Sequence, residues 1–224
     1  MLVVDRLEVA RELAEGARVL DIGGALMPET REEDAFTKRY RRIRAGAREY
    51  RVVDYQQKPG VDDIVDLNRP GSVEALRGII DAYRPEVILA MEVLEHVNYH
   101  YEAMNALAHA VADLGSTVWI SLPNNGSWIV NAQKSWWYDH SVAFFRDIAW
   151  RFVTRSDLGT HAVQIAPCMG HHVRWWPLVY AAAFCQPMSW GFLVRPRDAG
   201  RKPGAANERR LAEFTRRQIG RAHV

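Results

Sequence analysis

The chain has 224 residues, 48% hydrophobic and 25% charged, which suits one globular domain and argues against a second complete one. No run of about 18 apolar residues occurs, and the opening "MLVVDRLEVARELAEG" carries Asp5, Arg6, Glu8, Arg11 and Glu12, which argues against a spanning helix or a secretion signal and for a cytoplasmic protein without a membrane partner. The net charge of +2 is uneven: residues 195–224 carry nine of the 29 bases and three of the 27 acids, so the body is mildly acidic and the tail basic.

Apolar positions in "LEVARELAEG" recur at helical spacing, which predicts a helix over residues 5–15. It leads into "RVLDIGG", a short β-branched run stopped by glycine, the pattern of a buried strand. "TREEDAFTKRYRRIRAGARE" follows, a charged stretch read as a helix or an excursion with a solvated face. Strands are then expected in "EYRVVDY" and "DIVDLN", a helix in "SVEALRGIIDAY", a strand in "EVILAMEVL", a helix in "HYEAMNALAHAVADLG" and a strand in "STVWISLPN". This alternation predicts an α/β fold of three layers, a doubly wound and mostly parallel sheet flanked by helices.

Trp128, Trp136, Trp137, Trp150, Trp175 and Trp176 crowd the next stretch, six of the eight tryptophans. Residues 125–170 are therefore read as an aromatic-rich insertion after strand five, a lid over the substrate side. A helix near 177–184 and a strand near 190–195 complete a single domain over residues 1–195, and residues 196–224 form a basic tail. Cys168 and Cys185 are too few for a disulfide framework, lack zinc spacing, and read as buried thiols.

In a doubly wound sheet a ligand binds outside the carboxyl ends of the strands. The acids there decide what kind of ligand. A dinucleotide puts its pyrophosphate at the first turn, where a carboxylate repels it. Asp21 stands there, two residues before Gly23 and Gly24, and an acid suits a cation: the sulfonium and ammonium of S-adenosylmethionine. Asp54, ending strand two, has two oxygens for two ribose hydroxyls, and Asp66 with the amide of Leu67 suits the adenine edge.

The stretches "VLDIGG", "YRVVDYQQKPGVDDIVDLN", "ILAMEVLEHV", "ISLPN" and "GHHVRWWPLVYAAAF" together resemble the class I, seven-strand S-adenosylmethionine-dependent methyltransferases, in particular the type 11 group, over residues 15–125 and 170–195. The resemblance implies that Asp21, Gly23 and Gly24 line the methionine end of the cofactor. It further implies Asp54 at the ribose, Asp66 and Leu67 at the adenine, and Met91, Glu92 and Leu94 in the wall after strand four. The family's third glycine is missing near Ala25, "LMPE" follows, and Asp21 and Asp54 stand further apart than the ~20 residues of a compact dinucleotide unit.

Methyl transfer is an in-line displacement helped by alignment and desolvation, and an oxygen nucleophile also needs a base. The candidate bases are His96, His140 and His171, with His100 and His172 beside them, each weighed against an ordinary packing role. Glu92, Glu95 and His96 resemble the metal-binding motif of small-RNA 3′-terminal 2′-O-methyltransferases, but a plain strand-four motif is the favoured account of them and no metal is assigned. The tryptophans suit a flat or cationic substrate or a small core of their own. Arg174 is a candidate anchor for an acidic substrate group.

The expected function is methylation of an oxygen or nitrogen of a small molecule. A metal-dependent RNA 2′-O-methyltransferase and a catalytically inactive partner protein are the alternatives. The basic tail leaves nucleic acid a lesser expectation, and oligomeric state is open.

Overall fold

The computed structural model describes residues 4–24, 35–124, 146–169 and 189–197. Among these residues eight strands form one sheet: β1 (Val4–Asp5), β2 (Arg18–Ile22), β3 (Glu49–Asp54), β4 (Asp63–Ile64), β5 (Val87–Met91), β6 (Thr117–Pro123), β7 (Ala162–Met169) and β8 (Ser189–Arg195). Their order is β1-β7-β8-β6-β5-β2-β3-β4. All pairings are parallel except those of β8, which runs antiparallel to both β6 and β7. The sheet is thus mixed, and the expected seven strands become eight through the two-residue β1 at one edge.

Among the described residues five α-helices accompany it: α1 (Arg6–Ala14), α2 (Ala35–Gly46), α3 (Ser72–Tyr83), α4 (His100–Leu114) and α5 (Arg146–Arg155). The two-residue period of the strands sorts the core into two layers. Leu20 and Ile22 of β2 and Ile88 and Ala90 of β5 pack with Leu76, Ile80, Met104, Leu107 and Phe152 of α3, α4 and α5. Val19 of β2 and Val87 and Leu89 of β5 pack on the other face with Leu7, Leu13, Tyr40 and Ile43 of α1 and α2. Asp5 caps α1 by accepting from the Leu7 and Glu8 amides, and Arg39 of α2 reaches its other oxygen at 2.6 Å, joining the two helices.

Two expectations need correcting. The reading of 125–170 as one insertion holds two regular elements: α5 packs Ala149, Phe152 and Val153 into the core, and β7 sits inside the sheet between β1 and β8. The spacing of those three residues is that of an amphipathic helix, while Trp150, one of the tryptophans that marked the insertion, points outward at 40% exposure. "DIVDLN" is a strand only at Asp63–Ile64. Beyond it the Asn68 amide donates to Asp66 Oδ1 at 3.0 Å, a side-chain turn that competes with the ladder. The stretch 125–145, the helix expected near 177–184 and the tail from 198 lie outside the described residues. Among those described, no helix is long and apolar enough to cross a membrane.

Candidate functional site

The chain runs from β2 outward to β3 and β4, then crosses to β5 on the other side of β2. That reversal opens a crevice at the carboxyl ends of β2 and β5, the usual ligand position in such sheets. A cavity of about 460 Å³ lies there, within the range of small-molecule and cofactor sites. Ile22, Val53, Val65, Leu67, Val93 and Val97 make its apolar wall, and Asp54, Tyr55, Lys58, Asp66, Asn68, Glu92 and His96 its polar one, with Gly23 at the first turn.

Of the residues singled out in the sequence, Gly23, Asp54, Asp66, Leu67, Glu92 and His96 line this cavity. Gly23 has φ +76 and donates its amide to the Val53 carbonyl at 2.7 Å. A Cβ there would lie 2.6 Å from Val93 Cγ2, so glycine is required both by conformation and by space. Asp54 is 6% exposed, and its Oδ1 accepts from the Gln56 amide at 2.9 Å. No hydrogen bond among the described residues engages its Oδ2. Both oxygens of Asp66 are taken, one by the Asn68 amide and the other by Arg69 Nε at 3.1 Å. Asn68 then pins the rim, accepting from the Asn98 amide at 2.6 Å and donating to the His96 carbonyl at 3.1 Å.

Glu92 follows β5 with φ +55, an uncommon conformation for a side chain with a Cβ. Three hydrogen bonds hold it: its amide donates to the Ser121 carbonyl at 3.0 Å, and its Oε1 accepts from Ser121 Oγ at 2.9 Å and Arg6 Nη1 at 2.7 Å. Arg6 also donates to Ser189 Oγ at 3.1 Å. Burial, the largest single influence, lowers the Arg6 pKa, and the charge and hydrogen bond of Glu92, with smaller contributions from Cys168 and Glu95, together raise it overall. Glu95 is only 1% exposed and lies in the short 3-10 turn Leu94–His96. Burial first, and the Glu92 carboxylate second, push its pKa well above the usual carboxylate range, with a backbone hydrogen bond and Arg6 opposing. His96 is 41% exposed on its side chain, with Nε2 4.0 Å from Glu95 Oε1. Glu92 is thus committed to a cation of the chain itself, and no group of three or more His, Cys, Asp or Glu side chains among the described residues could hold a metal.

Asp21, Gly24, Met91 and Leu94 are not among the residues lining the cavity. Asp21 is 1% exposed on the α1–α2 side of the sheet, where its Oδ2 accepts from the hydroxyls of Tyr40 and, at 2.5 Å, Tyr50. Burial raises its pKa to about 6, although both tyrosines pull it down. Gly24 lies against it: a Cβ there would be 2.0 Å from Asp21 Oδ2. Met91 packs against the α1–α2 cluster, and Leu94 is buried in the opposite core. His100 Nδ1 is 3.1 Å from the Val97 carbonyl, and its ring packs on Tyr101 and Phe152. His140, His171, His172, Arg174 and Cys185 lie outside the described residues, and Cys168 is a buried thiol whose pKa burial pushes up.

Sequence reasoning passed over Tyr55 and Lys58 of the cavity, whose ammonium lies 5.6 Å from the Tyr55 ring centroid. Their place directly after Asp54 in a strand-end loop was the available signal. Tyr40 and Arg6 were also missed. Tyr40 and Ile43, three apart in a charged helix, mark its buried face, whereas nothing local identifies Arg6.

No family model matches the chain, and no curated protein does. Solved structures do. It is similar to a SAM-dependent methyltransferase from Archaeoglobus fulgidus, at 16% identity and TM-score 0.56, over 85% of this chain and 91% of that one. It is also similar to the small RNA methyltransferase HEN1, at 10% identity and TM-score 0.52, over 86% of this chain and 25% of that one. The likeness is one of fold: the chain has the class I, Rossmann-like fold of S-adenosylmethionine-dependent methyltransferases.

Proposed function

We propose that the protein is an S-adenosylmethionine-dependent methyltransferase acting on an oxygen or nitrogen of a small molecule. One observation carries the reading: at the switch point of this fold, Asp54 keeps an oxygen without a described hydrogen bond beside the apolar wall of Ile22, Val53, Val65, Leu67 and Val97. That donor set fits an adenosine, since a carboxylate accepts from vicinal hydroxyls and branched apolar side chains cover a flat purine. S-adenosylmethionine supplies a methyl group on a positively charged sulfur, open to displacement by a nucleophile.

Asp54 is assigned to the ribose. The Asp66 carboxylate, which accepts one hydrogen bond on each oxygen and has acceptor sites to spare, is assigned with the Leu67 amide to the adenine edge. Gly23, free of a Cβ, lets the first turn approach the methionine end, as Gly24 and the charge of Asp21 do from below. Glu92, fixed by Arg6 and Ser121, forms the opposite wall. His96, half-exposed at the rim, is assigned as base for an oxygen acceptor, with His140 and His171 retained as candidates.

Calorimetric titration with S-adenosylhomocysteine tests the reading. Single-site binding is expected, weakened about tenfold or more by Asp54→Ala, because a hydrogen bond to a charged group contributes about 1.5–3 kcal/mol. Absence of binding by folded protein overturns it. Release of S-adenosylhomocysteine in the presence of phenolic or amine acceptors, set beside RNA oligonucleotides, then sorts the substrate class.

A further inference from the structure

The cofactor turn sits on a buried polar cluster that the cavity does not contain. Asp21 of β2 accepts from Tyr40 of α2 and Tyr50 of β3 through one and the same oxygen, Oδ2. Its other oxygen, Oδ1, is buried without a hydrogen-bond partner among the described residues. The turn rests on this cluster closely, since a Cβ at Gly24 would meet Asp21 Oδ2 at 2.0 Å and Tyr40 Oη at 2.7 Å. An ionised carboxylate with one oxygen unsolvated and unpaired is costly unless a positive charge lies near.

The described groups facing it do not supply one in contact. Tyr40 and Arg44 face it from α2, Tyr50 and Asp54 from β3, and the adjacent strand β5 sets Leu89 opposite. Arg6 of α1 acts on Tyr40. Among the described residues Arg44 is the cation whose charge acts on Asp21 itself, and its guanidinium lies over the Tyr50 ring, 5.8 Å from the centroid.

We propose that Tyr40 and Tyr50 are positioning residues, a pair of hydroxyls that holds the Asp21 carboxylate beneath the Gly23–Gly24 turn and makes affinity for the cationic cofactor depend on the charge of that carboxylate. The inference rests on the proposed cofactor. The tyrosines favour the ionised form, and burial opposes it, with the balance near pH 6. Bound sulfonium and ammonium groups then favour the ionised form further, and by linkage ionised Asp21 favours the cofactor. Losing one hydroxyl weakens that support without emptying the space, since phenylalanine retains the ring.

The test is titration with S-adenosylmethionine and S-adenosylhomocysteine between pH 5 and 8, on the wild type, Tyr40→Phe and Tyr50→Phe, together with the 13C resonance of the Asp21 carboxyl in the ligand-free protein. Affinity is expected to fall about tenfold as pH drops through about 6, more steeply for S-adenosylmethionine, which carries the extra charge. In each variant the midpoint moves up by about one pH unit, and wild-type affinity returns by pH 8. An effect on packing alone would lower affinity equally at every pH and leave the midpoint in place. An Asp21 carboxyl that titrates in the usual carboxylate range in the wild type, or whose midpoint neither variant moves, overturns the inference and leaves the methyltransferase reading standing. If the wild type binds neither compound at any pH, the proposed function falls and the dependence on cofactor charge falls with it.

Discussion

Asp21 and Asp54 look alike in the sequence, each an acid after a β-branched run and before a loop, yet they end up in different surroundings. Asp54 is the last residue of β3 and lines the cavity. Asp21 is the penultimate residue of β2, with Ile22 beyond it, and sits under α1 and α2 with two tyrosines. A single residue of distance from the strand end separates a wall of the cavity from a group beneath its floor. For a strand-end acid, position relative to the last ladder residue therefore matters as much as identity.

The largest expected effect breaks the comparison on the Asp21 side. Its pKa is raised from 3.8 to about 6 in the folded protein, so the folded state binds the proton more tightly than the unfolded chain. The stability this contributes is full below pH 3.8 and is lost as pH rises through about 6. Asp21→Asn removes that loss, so denaturant titrations should find the variant more stable than the wild type by up to about 3 kcal/mol at pH 8 and nearly equal to it at pH 4. The same variant should bind S-adenosylmethionine more weakly at pH 8, trading function for stability.

Gly24→Ala comes next. Its Cβ must displace a carboxylate held by two hydroxyls, and thermal or denaturant unfolding should register a loss of about 2 kcal/mol. Unchanged stability would mean that the carboxylate is not wedged beneath the turn. Asp54→Ala should behave in the opposite way to Asp21→Asn, leaving stability within about 1 kcal/mol of wild type while cofactor affinity drops about tenfold. Equal losses in both quantities would remove the distinction between wall and floor. The smallest effect is expected from Asn68→Ala, which releases the Asn98 amide and the His96 carbonyl at a half-open rim and should cost about 1 kcal/mol, with faster hydrogen exchange at Asn98.

The strand-and-helix rhythm of the first 124 residues was legible because each buried strand is short, β-branched and stopped by a polar turn. "SVEALRGIIDAY" forms a helix over the full expected span, Ser72–Tyr83. The strand-end residues Gly23, Asp54, Asp66, Leu67, Glu92 and His96 were legible for the same reason: the fold sends strand ends to one crevice. What could not be read depends on side-chain reach across elements. Tyr50 meets Asp21 from the neighbouring strand, and Arg6 meets Glu92 from a helix more than eighty positions earlier. Neither contact leaves a local pattern. The helix and strand inside the expected insertion 125–170 are hidden for a different reason: tryptophan content carries no periodicity, whereas the spacing of Ala149, Phe152 and Val153 is a helical stripe.

The bond from Arg6 to Ser189 spans 183 positions of chain, and Val4 of β1 aligns with Cys168 of β7. During synthesis the N-terminal helix therefore emerges long before the strands that fasten its first residue exist. Until β7 and β8 have been made, Glu92 still finds its guanidinium, but Arg6 lacks its serine, and β6 exposes the edge that β8 later covers. Closure of the sheet is accordingly a late event dominated by distant contacts, the class that slows folding and exposes unpaired strand edges meanwhile. The half of the crevice formed by β2, β3 and β4 belongs to the early part of the chain, and the Arg6 that braces its opposite wall gains its own anchor, Ser189, only when β8 is made.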